Sequence, residues 1–167
     1  MHIPFTLIKH ENHAKMKDQL MEIINTAEGG ELRNNWNWVT HTDWNVRKEA
    51  KREYWDLFWN DVKDQFDELL RLKFRHIDWE LDNYWFQQYQ DGDWHHWHRH
   101  PQTAWNCVYY LEKPTDSPDT VFWDAEAQDV VSGPVEEGDI LMFPSQVVHC
   151  VPEVTGGQRT VIVWNIK

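Results

Sequence analysis

The chain has 167 residues, 28 acidic against 16 basic, for a formal charge of −12. That field works against nucleic acid and anionic membrane surfaces as partners, and no apolar run approaches the roughly 20 residues of a membrane span. The length suits one domain whose core needs no disulfide or structural metal. Cys107 and Cys150 both fall in apolar, strand-like runs, so buried free thiols in a reducing cytoplasm are expected rather than a bridge. The opening MHIPFTLIKHENH has no basic start followed by a long apolar stretch, which argues against a signal peptide. Twelve tryptophans exceed what a core of this size needs, and some are expected to line a groove or pocket, Trp94 and Trp97 first.

In chain order, Met16, Leu20, Ile23, Ile24 and Ala27 keep the rhythm of an amphipathic helix, which Gly29-Gly30 ends. A second, longer helix is predicted from Thr42 or Asp43 to about Lys73. Its apolar stripe is Trp55, Phe58, Trp59, Val62, Phe66, Leu69 and Leu70. From about Asn83 the period changes to two. Strands are predicted at Tyr84–Tyr89, His96–His100, Trp105–Glu112, Thr120–Trp123, Asp129–Ser132, Asp139–Phe143, Val147–Val151 and Arg159–Ile166. Turn formers such as Asp91-Gly92-Asp93, Gly133-Pro134, Gly138 and Gly156-Gly157 separate them. About eight short strands after two helices predict an α+β chain: a double-sheet jelly roll over 81–167, with residues 1–80 as mainly helical support, all in one domain.

The chemistry concentrates in the second half. His98 and His100 alternate on a predicted strand, so both imidazoles can project from one face toward a metal ion. His149 stands among valines, where an imidazole needs a partner for its ring nitrogens. A third histidine from a distant strand completes a facial set with positions open, and Arg159 beyond it can grip an acidic cosubstrate in bidentate fashion. His96 shares the predicted face and makes a competing pair with His98. His41-Thr42-Asp43 matches a metal pair by letters alone, and at a helix start Thr42 or Asp43 is more simply an N-cap. Asp124 and Glu126 are further carboxylates, placed in a solvated loop.

Residues 84–166, about half of the chain, resemble the double-stranded β-helix of iron(II)- and 2-oxoglutarate-dependent oxygenases and are most similar to the prolyl-hydroxylase-like branch. The resemblance rests on Tyr89-Gln90-Asp91-Gly92-Asp93 leading to His98 and on Asn106-Cys107-Val108-Tyr109-Tyr110-Leu111. It continues through Gly138-Asp139 with Phe143-Pro144, then His149, Arg159 and the closing run to Asn165. A subgroup with His-x-His-Pro in place of His-x-Asp is the nearest match. The resemblance implies a hydroxylating dioxygenase with Fe(II) on His98 and His149, and with His100 as third ligand or as a neighbour of the metal. It also implies 2-oxoglutarate held by Arg159 and Tyr110, with Tyr89 lining the cosubstrate or substrate side. The substrate class it implies is broad: a peptide, an amino acid or another small molecule. Two positions depart from the pattern: His100 replaces the usual carboxylate, and Val161 stands where many relatives place a Ser or Thr, a loss for which Tyr110 can compensate. Two other readings compete. One is a three-histidine cupin-type dioxygenase without 2-oxoglutarate, which leaves Arg159 unused and has Gln146 where its second motif needs Gly. The other is a non-catalytic jelly-roll module whose tryptophans stack on a ligand.

Overall fold

The computed structural model describes residues 3–75 and 78–167. Eleven strands and two helices follow one another: β1 (Thr6–Lys9), α1 (His13–Thr26), β2 (Gly30–Arg33), β3 (Asn37–Thr42), α2 (Glu53–Phe74), β4 (Leu81–Tyr89), β5 (Trp94–His98), β6 (Trp105–Glu112), β7 (Val121–Asp124), β8 (Asp129–Ser132), β9 (Asp139–Pro144), β10 (His149–Val151) and β11 (Arg159–Ile166). They form one curled antiparallel sheet in the order β1-β9-β6-β11-β4-β3-β5-β10-β7-β8, with β2 added on β3. The jelly roll with buttressing helices is therefore the observed architecture.

The central strands β6, β9 and β11 are buried on both faces, which is why they read as largely apolar runs, and β4 is buried alongside them over residues 85–89. Their alternation still sorts the side chains. Phe86, Cys107, Tyr109, Leu111, Ile140, Met142, Ile162 and Trp164 face the helices, where they meet Leu20, Ile24, Phe58, Val62, Phe66 and Leu70. Trp85, Tyr89, Val108, Tyr110, Leu141, Phe143, Val161 and Val163 face the interior of the roll. Trp55, Trp59, Trp79 and Trp164 pack with Phe58, Phe66 and Tyr84 on the helix side. Much of the tryptophan surplus is thus core, at roughly 1.5–3 kcal/mol per fully buried large side chain.

The first half differs from expectation at three places. The long helix begins at Glu53, not at Thr42 or Asp43, because residues 37–42 are taken up as β3. Asp43 caps no helix. Its carboxylate accepts the Phe86 N–H of β4 at 2.8 Å, Arg52 Nε at 2.5 Å and the Tyr54 hydroxyl at 2.7 Å, while Thr42 donates to the Phe86 carbonyl at 2.6 Å. These bonds fasten β3, the start of α2 and β4 together. His41-Thr42-Asp43 is therefore a structural clasp, with His41 bonded to Gln88 at 3.0 Å. Third, β1, β2 and β3 are strands the sequence did not announce. Along the edge of β3 opposite β2, His41 and Thr42 pair with β4 and Asn37 and Trp38 pair with β5, splinting the two halves of the roll.

Candidate metal centre

Four strands converge on one end of the roll's interior. On β5 the expected strand ends at His98 rather than His100, and a bulge interrupts it. His98 lies opposite His149 on β10, whereas His95 lies opposite Val151, so three residues of β5 answer two of β10. The extra residue breaks simple alternation. His95 and His98 now share a face, with rings stacked at 3.9 Å and 9°. His96, expected beside His98, is turned outward, exposed, against the edge of Trp36 at 5.1 Å. Trp97 and Trp94 line neither cavity of the site; Trp85 and Trp44 do instead.

His100, just beyond β5, curls back because its N–H donates to the Ser145 carbonyl at 2.8 Å. One ligand atom each from His98, His100 and His149 then falls within 4.8 Å of the others. Two of the rings are oriented from behind. His98 Nδ1 donates to the His96 carbonyl at 2.7 Å and His149 Nδ1 to the Val147 carbonyl at 2.9 Å. Those bonds fix the tautomer and leave Nε2 with its lone pair available. His100 is held by the face of Trp85, centroids 6.0 Å apart at 26°.

Burial, reinforced by the neighbouring imidazoles, pushes His149 well below the ordinary histidine range and His100 down to about 4. His98 is lowered mainly by burial and His95 falls to about 2. All four are neutral near pH 7, the state in which imidazole ligates metal. Three imidazoles and no carboxylate form a donor set suited to a divalent transition metal.

Behind the histidines a narrow chamber of about 30 Å³ runs between Trp85, Tyr89, Val108, Thr120, Val161 and Arg159. Arg159 is 1% exposed. It donates to the Pro118 carbonyl at 3.0 Å and to Thr120 Oγ1 at 2.9 Å, while its Nε meets no acceptor among the described residues. Its guanidinium lies 5.7 Å from the Tyr89 ring centroid and 5.2 Å from that of Tyr110. No carboxylate among the described residues pairs with it. A buried cation in such a setting calls for an anion. Tyr110 does not line the chamber; its hydroxyl bonds Thr120 Oγ1 at 2.8 Å, and Thr120 faces the space. Thr120 was missed as a site residue because nothing in a short strand start marks it. The Tyr89 hydroxyl donates to Gln87 Oε1 at 2.8 Å, and Gln87 Nε2 approaches His95 Nδ1 at 3.5 Å. On the other side of the histidines opens a cleft of about 370 Å³, lined among others by Asn37, Trp44, Trp85, Arg99 and Asn165. Asp124 instead caps its own turn, accepting the Glu126 and Ala127 N–H groups at 2.9 and 3.1 Å.

A histidine cluster between an anion-seeking chamber and an open cleft, inside a jelly roll, defines a metal-dependent oxygenase scaffold. The chain belongs to the 2OG-Fe(II) oxygenase superfamily, whose model matches residues 76–167. It is accordingly an iron(II)- and 2-oxoglutarate-dependent dioxygenase, and the buried guanidinium with a free Nε, together with three neutral imidazoles, fits both cofactors. No curated protein sequence matches the chain. Among solved structures it resembles an oxidoreductase of the 2OG-Fe(II) oxygenase family from Burkholderia pseudomallei, with TM-score 0.78 and 9% identity, covering 98% of this chain and 85% of that one. It also resembles a Pseudomonas putida prolyl-4-hydroxylase, with TM-score 0.67, 17% identity and 98% and 92% coverage. A third likeness is to a Trichoplax adhaerens prolyl hydroxylase in complex with a hypoxia inducible factor peptide fragment, with TM-score 0.67, 13% identity and 98% and 84% coverage. At such identities these likenesses speak for the fold. No helix among the described residues is long and apolar enough to cross a membrane.

Proposed function

We propose that this dioxygenase holds iron(II) on His98, His100 and His149 and seats the distal carboxylate of 2-oxoglutarate on Arg159 and Thr120. We place it in the prolyl-hydroxylase-like branch, in the subgroup with His-x-His-Pro. The whole chain then works as one domain, on a peptide, amino acid or other small molecule rather than nucleic acid or a membrane. The observation that carries the reading is the buried Arg159 with a free Nε and no carboxylate partner among the described residues.

Together iron(II) and 2-oxoglutarate activate dioxygen toward a substrate C–H bond; the chain's residues do the positioning. Arg159 offers two N–H directions fixed by the Pro118 carbonyl and Thr120. Thr120 Oγ1 accepts from Arg159 and shares a hydrogen bond with the Tyr110 hydroxyl; with Tyr110 as its donor, the threonine hydrogen is free to meet an acceptor in the chamber. Thr120 thereby replaces the hydroxyl that Val161 lacks, and Tyr110 acts through it. Tyr89 packs its ring beside the guanidinium and hands its hydroxyl to Gln87. His100 contributes no negative charge, so the three-histidine set leaves the metal's double charge to be balanced by 2-oxoglutarate itself.

The test is an anaerobic titration of the iron(II)-loaded protein with 2-oxoglutarate, following the visible charge-transfer band of the chelate. A saturable band that is lost or needs far more cosubstrate in Arg159→Ala, with iron still bound, is expected. Iron binding with no band would hand the site to the cupin-type reading, which needs no Arg159.

A further inference from the structure

Buried polar side-chain atoms without hydrogen-bond partners are few in folded proteins, because each forfeits the bonds it made with water. Of the seven such atoms among the described residues, four belong to side chains around one cleft; the others are Arg159 Nε, Ser117 Oγ and Trp164 Nε1. Asn37 Oδ1, Asn106 Oδ1, Asn165 Oδ1 and Trp85 Nε1 are all buried without a partner among the described residues. Their side chains belong to residues that line the outer cleft or the chamber that joins it at the histidines. Asn106 and Asn165 are each 1% exposed and Trp85 4%.

The sheet explains the arrangement. On the interior face, Asn165 of β11 stands in register with Asn83 of β4 and Asn106 of β6, giving a row of three carboxamides across three strands. Asn165 Nδ2 donates to Asn83 Oδ1 at 2.7 Å, which turns Asn165 Oδ1 away from that neighbour. The next row inward carries Trp85, whose ring faces His100. β3 brings Asn37 alongside His95 from the opposite wall. An aromatic corner closes the cleft, with Trp44 set edgewise on Trp85 at 4.6 Å and 74°.

The chemistry of this wall is selective. Carboxamide oxygens accept N–H hydrogens, and an indole N–H can do nothing but donate. A group that satisfies both presents an N–H and a carbonyl a bond apart. Charge gives no competing handle in the depth of the cleft. Asp82 is tied to Lys167 at 2.9 Å, and Arg99 sits exposed at the rim. We propose that the outer cleft is the primary-substrate site of the dioxygenase and that it recognises an uncharged amide group, whose carbonyl accepts from Trp85 Nε1 while its N–H donates to the asparagine wall. This rests on the iron and 2-oxoglutarate reading, because it makes the chamber the cosubstrate's and the cleft the substrate's. The row spacing sets the amide beside the histidines, so the oxidised carbon is one close to an amide bond.

The proposal is tested with the zinc(II)- and 2-oxoglutarate-loaded protein and N-acetylalanine methylamide as probe. The readout is the ¹H–¹⁵N signal of the Trp85 indole, assigned by its disappearance in Trp85→Phe. The expected result is a saturable shift of that signal, with affinity for N-acetylalanine, which carries a carboxylate, at least tenfold weaker. Asn165→Leu should weaken the methylamide by roughly tenfold, whereas Asn165→Asp, which keeps an acceptor oxygen, should weaken it clearly less, while the remaining indole signals report that the variants are folded. Equal or tighter binding of N-acetylalanine that is lost in Arg99→Ala would overturn the proposal in favour of an anionic substrate. So would an unmoved Trp85 signal, or binding indifferent to Asn165→Leu. Cosubstrate binding is read separately, through Arg159, so a failure of the iron and 2-oxoglutarate reading shows there and not in the amide titration.

Discussion

The departures from the family pattern become intelligible residue by residue. Val161 removes a hydroxyl from the strand that carries Arg159, and Thr120 supplies one from the residue just before β7, 2.9 Å from the same guanidinium. Thr120→Val should therefore raise the 2-oxoglutarate concentration needed for half-saturation by about 10- to 100-fold, the worth of one hydrogen bond to a charged partner. The double variant Thr120→Val, Val161→Thr should recover much of that loss, measured in the same anaerobic titration. A single variant with unchanged affinity would remove Thr120 from the cosubstrate site. The sequence made His98, His149 and Arg159 legible because motif spacing marks them. Thr120, Trp85, Asn165 and His95 were not, for two different reasons. Trp85 and Asn165 sit in strands whose faces are both buried, so periodicity does not say which face holds the site. His95 depends on a bulge, and no residue type in His95-His96-Trp97 announces one.

At the level of elements, the decisive misreading was the entry to α2. Lys48, Glu49, Lys51 and Arg52 look like a charged helix start, yet the periodic apolar stripe begins at Tyr54 and Trp55. What stops the helix from extending backwards is tertiary. Asp43 spends its carboxylate on β4, Arg52 and Tyr54, and Thr42 spends its hydroxyl on β4 as well. Replacing Asp43 by Ala strands the Arg52 cation and the Phe86 N–H, so a loss of about 3–5 kcal/mol is expected from urea unfolding. Asp43→Asn, which keeps two of the three contacts, should cost clearly less. Since β3 also carries Asn37 into the cleft, the Ala variant should weaken methylamide binding in proportion to its loss of order there. The short strands β1 and β2 escaped notice because four residues give too little pattern to separate from a loop.

For the whole molecule, the histidines make stability a function of pH. His95, His98, His100 and His149 all have their ionisation lowered by burial in the native state, His100 to about 4. In the unfolded chain they return to about 6.5. Between those values the unfolded chain holds more protons, so stability falls as pH falls, by up to about 1.4 kcal/mol per pH unit for each such group. The chelator-treated protein should hold its urea midpoint above about pH 6.5 and lose it steadily toward pH 4, and added zinc(II) should offset the loss while the ligands stay deprotonated. A flat midpoint over that range would mean the imidazoles are not buried as neutral groups. The central sheet has a different kind of consequence, for how such a chain can change over generations. Tyr109 and Tyr110 are neighbours in sequence yet serve opposite sides, one packed on Phe58 beneath the helices and the other on Arg159. Losing or gaining a single residue within β4, β6, β9 or β11 would exchange both cores at once. Length variation among descendants should therefore collect in the turns, or come as paired residues within these strands. The odd step on β5 is a tolerated exception, at the place where it sets His95 beside His98.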